Sequence, residues 1–219
     1  ALGLGAGNQG LVAPIVGFQV CIGSALLGGL VSVIIGLVAL VRTRGGRDPQ
    51  AHTKAWVGVA VGLGLILAVL SAARTGGDAP PINDITTDLA EPPAFAPASV
   101  VSDYAGRDMS YPADFVEIVR KSYPDLAPLH VESPVDATYE RAIQAAESLG
   151  WTISARNDAS HTFDAKDTTK LFRFVDDVAV RVRADGTGAR IDVRSKSRDG
   201  RGDLGANANR IRRFLAAMK

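Results

Sequence analysis

The sequence is poor in the residues that build disulfides and metal sites, with one cysteine and three histidines. Cys21 cannot form a disulfide within the chain, and its apolar surroundings indicate a small packing residue. His52, His130 and His161 are scattered, and none has a second ligand at the spacing of a metal site. We therefore predict no metal site. A single cysteine does not indicate the redox compartment.

Charged residues are absent from two long stretches near the amino terminus. Residues 11–41 and 55–73 carry no charge, and a membrane-spanning helix needs about 20 apolar residues. Pro14 suits the first turn of the first helix, where a missing backbone donor does no harm. The first stretch is twice as long as the core of a signal peptide and no basic residue precedes it, which argues against cleavage. We predict a tail at residues 1–10 and then a membrane hairpin of two transmembrane helices.

The loop that joins the two stretches, residues 42–54, is basic. It carries four Lys or Arg against one Asp, whereas acidic residues dominate after Arg74. By the positive-inside rule, this loop is cytoplasmic and the rest of the chain lies outside, which in a two-membrane bacterium is the periplasm. We therefore expect an inner membrane. The basic residues of the loop are Arg42, Arg44, Arg47 and Lys54.

Small residues recur at four-residue spacing in both predicted helices. Such steps allow helix backbones to approach closely in lipid, where no hydrophobic force drives helices together. They predict that the two helices pack on each other, or that the remaining small-residue faces dock against other integral membrane subunits. The positions that we assign to helix packing are Gly28, Gly36, Gly58 and Gly62.

Proline, glycine, alanine and aspartate dominate residues 74–111, where no regular period is sustained. This composition predicts an extended Pro-rich connector.

Positive and negative charges are distributed unevenly along the chain. Residues 75–155 hold 4 Lys or Arg against 13 Asp or Glu, and residues 156–219 hold 15 against 9. The carboxyl-terminal third is therefore the basic end.

Residues 112–219 alternate between helical and strand periods. A short helix opens at Pro112, a longer one lies between Ser133 and Gly150, and a last one ends near Met218. Between the last two helices, apolar and polar residues alternate in about four strands, as in an antiparallel sheet with one buried face. We predict a soluble α+β domain with helices on one face of the sheet.

The polar face of this sheet is predicted to expose a basic stripe. No aromatic residue interleaves with it, so nucleic acid is not an expected partner. The stripe could instead pair with acidic groups of a partner protein. Its members are Arg181, Arg183, Arg190, Arg194 and Lys196.

The glycines at positions 200, 202 and 205 have the spacing of a dinucleotide motif before a helix. A dinucleotide fold also needs a further parallel strand and an acidic residue about 20 positions on, and the sequence after this turn contains neither. A helix amino terminus with nearby arginines could still bind an anion or a lipid headgroup, although a salt-bridged basic face explains the same pattern. The candidate anion-binding residues are Arg194, Arg198, Arg201 and Arg210.

No group of residues has the converging roles of a catalytic site. Asp176 and Asp177 are neighbours, and in a strand their side chains point to opposite faces and cannot share a substrate. Ser195 and Ser197 lack a nucleophile elbow and a histidine near them in sequence. We therefore predict no catalytic residue, no cofactor and no enzyme activity.

Several blocks of the domain resemble a bacterial and plastid family, the domain-of-unknown-function family fourteen-ninety-nine. The resemblance implies an extracytoplasmic or thylakoid-associated domain, often behind a membrane segment or a lipoprotein signal, and it brings no established activity with it. Its most specific part is the block from Asp192 to Arg198 with its continuation to Ile211. The blocks are residues 82–88, 123–129, 150–151, 192–198, 203–207 and 210–211.

These observations predict a non-catalytic accessory or structural subunit of a larger membrane complex. The plastid members of the family favour a photosynthetic or respiratory complex. The alternative is an envelope module that binds a lipid or an anion. The expected partners are other integral membrane subunits and lipids, and not nucleic acid.

Overall fold

The computed structural model describes residues 13–46, 48–74 and 77–219. The predicted tail at residues 1–10, the start of the first apolar stretch and Arg47 of the basic loop lie outside the described residues. The chain forms two compact units: the apolar helices up to Gly77, and a domain made by Asp78–Thr169 and Phe174–Lys219.

The first unit is a helix hairpin. Helix α1 spans Pro14–Thr43 and helix α2 spans Pro49–Arg74, and Pro14 occupies the first turn of α1 as the sequence predicts. Both helices are long and apolar enough to cross a membrane. Helix α2 begins within the predicted loop at residues 42–54, so the described connection between the helices is short.

Glycines make the close contact between the two helices. A Cβ atom at Gly62 would lie 2.5 Å from the Gly29 carbonyl oxygen, and one at Gly36 would lie 2.6 Å from Val59 Cγ2. The Ser32 hydroxyl donates a 2.8 Å hydrogen bond to the Gly58 carbonyl across the same interface. Only glycine permits this backbone approach, which is how helices gain packing energy in lipid.

The second unit is built on one antiparallel sheet, as predicted. Its strands β1 to β6 are, in chain order, Asp84–Thr86, Leu129–Val131, Thr152–Asn157, Thr162–Thr168, Val175–Asp185 and Gly188–Ser197. The sheet order is β1-β6-β5-β4-β3, and β2 pairs with the far end of β6. The four longer strands, β3 to β6, form a meander and are the strands that the sequence predicts. Two short strands that it does not predict, β1 and β2, pair with β6.

Three helices cover one face of this sheet: α3 at Phe115–Ser122, α4 at Val135–Ser148 and α5 at Ala206–Ala217. Alternate residues of β5 and β6 face these helices and are fully buried in one apolar core. Because the sheet alternates with a period of two, the intervening residues of the same strands face the other side. The predicted fold class, an α+β domain with helices on one face, is confirmed.

Residues just before two of the helices define where they begin. Helix α4 starts at Val135, with Pro134 as its cap residue. Helix α5 starts at Ala206, and the Asp203 carboxylate accepts hydrogen bonds from the N–H groups of Gly205 and Asn207. These bonds satisfy donors that the helix leaves free at its amino terminus.

The predicted connector is not a connector over most of its length. Beyond Gly77 it belongs to the domain: it supplies β1 and a 3-10 helix at Ser102–Tyr104, and residues 88–111 fold over the polar face of the sheet. We name residues 88–111 the covering segment. Its prolines limit regular structure but not order, because side chains of the sheet bind its backbone.

Candidate functional site

Two buried carboxylates hold the basic residues at one end of the polar face. The Asp88 Oδ2 atom accepts hydrogen bonds from Arg181, Arg183 and Arg190 at 3.1, 2.9 and 2.7 Å. The same three guanidinium groups also reach Asp192, which has no exposed surface. Each arginine thus joins a strand to the start of the covering segment.

The pKa of the Asp88 carboxyl reflects these contacts. Burial acts to raise this pKa, but hydrogen bonds from the backbone N–H groups of Glu91 and Ala90 and the charges of Arg190 and Arg181 outweigh it. The pKa therefore lies below its ordinary value, and the carboxylate stays charged in the folded domain.

Arg194 lies on β6, on the polar face, and is only 2% exposed. Its Nε and Nη2 atoms donate to the two oxygens of Asp84 on β1, at 2.9 and 2.7 Å. The Nη2 atom also donates to the Met109 and Ser110 carbonyl oxygens, at 3.0 and 2.9 Å. A second cation, Lys196, lies 3.0 Å from Asp84. The Arg194–Asp84 pair therefore joins β1 to β6, and Arg194 also holds the end of the covering segment.

Two aromatic rings of the covering segment contact the Arg194 guanidinium. Its central carbon lies 4.8 Å from the Phe95 ring centroid and 5.2 Å from the Tyr111 centroid. Desolvated contacts of this kind are attractive because the ring faces carry partial negative charge. Oxygen atoms therefore accept hydrogen bonds from the Arg194 guanidinium, and the two aromatic rings pack against the same group.

Arg198 and Arg210 have separate partners. Arg198 donates to Asp177 and to Asp103 of the covering segment, and these hydrogen bonds raise the pKa of Arg198 and lower that of Asp103. Arg210 lies on the helix face and binds Asp176. Asp176 and Asp177 therefore point to opposite faces, as predicted. Arg210 also donates to Asp167, Ser195 and Asn207.

The structure does not bring the four candidate anion-binding residues together. Arg194 and Arg210 are buried on opposite faces of the sheet, Arg198 is ion-paired, and Arg201 is exposed. Anion binding at these residues stays a prediction. The basic stripe differs from the prediction more clearly, because its members are ion-paired within the domain instead of presenting free charges to a partner.

A cavity of about 470 Å3 lies beside Arg194. The hydroxyl groups of Tyr104 and Tyr111 are buried and have no hydrogen-bond partner in the described part of the chain. Burial raises the pKa of both phenols, with Asp164 adding to the shift at Tyr104 and Asp84 at Tyr111. Both phenols are therefore protonated donors at any physiological pH. The cavity lining includes Phe95, Tyr104, Arg107, Met109, Tyr111 and Arg194.

Asp164 lies behind this cavity, beneath residues 94–97. It is 4% exposed and accepts a 2.8 Å hydrogen bond from the Ala96 N–H group. Its carboxylate influences the Tyr104 hydroxyl electrostatically, although the two groups do not meet hydrogen-bond geometry. Burial raises the pKa of Asp164 to about 6.

Sequence reasoning missed the residues that organise this site. Asp84 and Asp88 lie in a block that carries the family resemblance, and the two tyrosines lie in the segment interpreted as a connector. Two signals were available: the acidic excess of residues 75–155 against a basic carboxyl-terminal third, and aromatic residues recurring in a Pro-rich stretch.

The fold and the site define a class of protein: an apolar helix hairpin followed in the chain by an α+β domain whose sheet is covered on both faces. The family model described as "Protein of unknown function (DUF1499)" matches residues 84–218, and the chain belongs to this family. The match begins at Asp84, the partner of Arg194. A comparison with curated proteins finds no match.

Changing Arg194 to Met should destabilise the domain by about 3–5 kcal/mol, because the variant leaves Asp84 buried with only part of its compensation. The control is Arg183→Met, whose arginine is 34% exposed and should contribute only about 0–1 kcal/mol. Thermal or denaturant unfolding of the full chain in mild detergent measures both. Equal losses for the two variants would contradict the role given to Arg194.

Asp164 should titrate near pH 6 in the folded chain. Because its folded pKa lies above the unfolded value of 3.8, its contribution to stability is complete below that value and is lost as the pH rises through about 6. The stability of the native chain relative to Asp164→Asn should therefore fall between pH 4 and 7. Carboxyl 13C NMR gives the midpoint, and a midpoint near pH 4 would show that burial does not control this group.

Proposed function

We propose that this protein is a non-catalytic accessory subunit of a larger membrane assembly, with the hairpin in the membrane and the domain on its outer side. The observation that carries the proposal is that the hairpin leaves some of its small residues uncovered. Gly28 and Gly64 have no atom within 4 Å of the place where a Cβ would lie.

The two sets of glycines differ in what they contact. At Gly29, Gly36 and Gly62, atoms of the other helix occupy the space where a Cβ atom would lie. At Gly28 and Gly64 that space is open. In lipid, an exposed glycine weakens the helix without gaining packing energy, unless another helix approaches there. The open glycines therefore support a further helical neighbour.

Large apolar side chains surround the open positions. Leu27 is 65% exposed and Leu30 is 51% exposed, and similar exposure continues along both helices. Hydrocarbon chains cover such side chains, and so do the helices of a partner. The helices alone therefore favour a membrane location, and the open glycines favour a protein neighbour.

The domain supports a structural role through its charges. The arginines and carboxylates of the polar face bind one another and fix the covering segment. Docking through an exposed basic stripe is therefore not part of the proposal. Since the resemblance to the family includes plastid proteins, photosynthetic and respiratory complexes are the first assemblies to test.

The proposed orientation follows from the basic residues between the helices, such as Arg44, and the acidic residues that follow α2. In a chain whose Cys21 is replaced by Ala, an impermeant thiol reagent added from outside should label a cysteine at the exposed turn residue Thr187. It should spare a cysteine at Arg44 until the membrane is opened. The reverse pattern would place the domain in the cytoplasm.

Changing Gly28 to Leu should reduce co-purification with the partner complex at least several-fold, because the added side chain fills the open surface. The hairpin itself should persist, since a Cβ at this position meets no atom. The measurement is quantitative mass spectrometry of the tagged protein purified in mild detergent from its own membranes.

Two further variants separate docking from misfolding. Val38→Leu adds bulk at an exposed position without removing a small residue, so it should leave co-purification unchanged. Gly62→Leu should disrupt the hairpin and lower the amount of folded chain, because Gly29 leaves no room for a side chain. A native protein that runs as a free monomer would overturn the proposal.

A further inference from the structure

The loop between β4 and β5 and the turn after β6 lie at the same end of the sheet. Thr168 at the end of β4 pairs with Val175 at the start of β5, so the loop at residues 169–174 lies at that end. The Arg198 N–H group donates a 3.2 Å hydrogen bond to the Val175 carbonyl oxygen. The turn at residues 198–204 therefore begins beside the loop. We name these two segments together the entry end.

The chain also enters the domain at the entry end. The Asp203 N–H group donates to the Ile82 carbonyl oxygen at 3.2 Å, and the Asn83 side-chain amide donates to the Gly200 carbonyl oxygen at 2.9 Å. Only residues 75–81 separate Ile82 from helix α2. The covalent connection to the hairpin therefore tethers the entry end of the domain, and not the opposite end, at which β5 turns into β6.

The entry end exposes large apolar side chains of a kind that the rest of the domain buries. Leu171 in the loop is 58% exposed, and Leu204 in the turn is 60% exposed. Among residues 78–219, all of which the structure describes, Val100 is the one other large apolar side chain with such exposure. Leu204 also has a φ angle of +52°, which is unfavourable for a leucine backbone. These features indicate a contact with something outside the domain.

Basic residues flank both leucines. Lys170 and Arg173 lie on either side of the loop leucine, and Arg201 precedes the turn leucine. All three are exposed, and none forms an ion pair in the described part of the chain. The acidic residues of the entry end are Asp199 and Asp203, and the Asp203 carboxylate binds backbone N–H groups at the start of α5. Basic residues therefore outnumber acidic ones, and the loop itself has no acidic residue.

A lipid surface is the partner that fits this combination. Long basic side chains reach phosphate groups while their methylene stems cover apolar neighbours. Leucine side chains enter the boundary between headgroups and acyl chains. Since the hairpin is proposed to span a membrane, the tether keeps that surface available to the entry end.

We propose that the entry end binds the surface of the bilayer that the hairpin spans. Leu171 and Leu204 enter the interfacial layer, and Lys170, Arg173 and Arg201 bind the phosphate groups of anionic lipids. This inference depends on the membrane placement in the proposed function and not on docking to a partner complex. The contact gives the domain one orientation, in which the turn between β5 and β6 points away from the membrane.

Paramagnetic lipids test this contact in the native full chain. The chain is labelled with 13C at leucine and threonine methyl groups, in nanodiscs of phosphatidylcholine and phosphatidylglycerol that include a lipid with a nitroxide headgroup. The Leu171 and Leu204 signals should relax several-fold faster than that of Thr187, an exposed residue of the turn between β5 and β6. Strand β5 has 11 residues, which separates the two ends of the sheet by about 35 Å.

Two variants measure the apolar and the basic parts through relaxation of the Leu204 methyl groups. Leu171→Ser should lower the equilibrium constant for surface contact about ten-fold, because one leucine leaves the interfacial layer. Lys170→Ser should lower it about five-fold, and only when phosphatidylglycerol is present. The matched control is Val100→Ser, which removes an equally exposed apolar side chain outside the entry end and should change nothing. All three variants should unfold at the native temperature, because the replaced side chains are exposed.

A nitroxide on the acyl chain separates this proposal from the placement of the hairpin. The proposal is overturned if Leu27 of α1 relaxes strongly in that lipid while Leu171 and Leu204 relax no faster than Thr187 in the headgroup lipid. The entry end would then be left for a protein neighbour. Equal effects of Leu171→Ser and Val100→Ser would also overturn it. If Leu27 is unaffected as well, the membrane placement itself fails and the surface contact fails with it.

Discussion

The buried pair of Arg194 and Asp84 is the interaction on which the rest of the domain depends. It joins the edge strand β1 to β6, and its remaining donors hold the end of the covering segment. Burying two charges is unfavourable unless every donor and acceptor is satisfied. The carbonyl oxygens of Pro93, Met109 and Ser110, which accept from Arg194, and the second cation at Lys196 meet that condition. Arg194 also lines the cavity, so the interaction that holds the covering segment contributes to the candidate site.

The uneven charge along the sequence has a structural explanation. The acidic excess of residues 75–155 includes Asp84, Asp88, Glu91 and Asp103, which bind arginines of the basic carboxyl-terminal third. Alternation along the strands predicted correctly which face is polar. It could not predict that the polar face is covered, because the covering segment has no period and is held by side chains far away in sequence.

The hairpin shows a similar limit. Apolar length predicted both helices, and four-residue spacing identified Gly36 and Gly62 at their contact. The spacing alone could not choose between adjacent faces: Gly29 makes the contact, while its neighbour Gly28 is open. Successive helix residues differ by about 100° in direction, so the choice depends on the packing of the partner helix. The tyrosines of the cavity had no periodic signal at all.

Hydrogen exchange of the covering segment tests the central claim most directly. In the native full chain, amides of residues 88–111 that donate in the folded domain, such as that of Ala96, should be protected. In Asp84→Asn, that protection should fall at least ten-fold further than the protection of helix α4. Exchange of the native segment at the rate of an unfolded chain, or unchanged protection in the variant, would contradict the account.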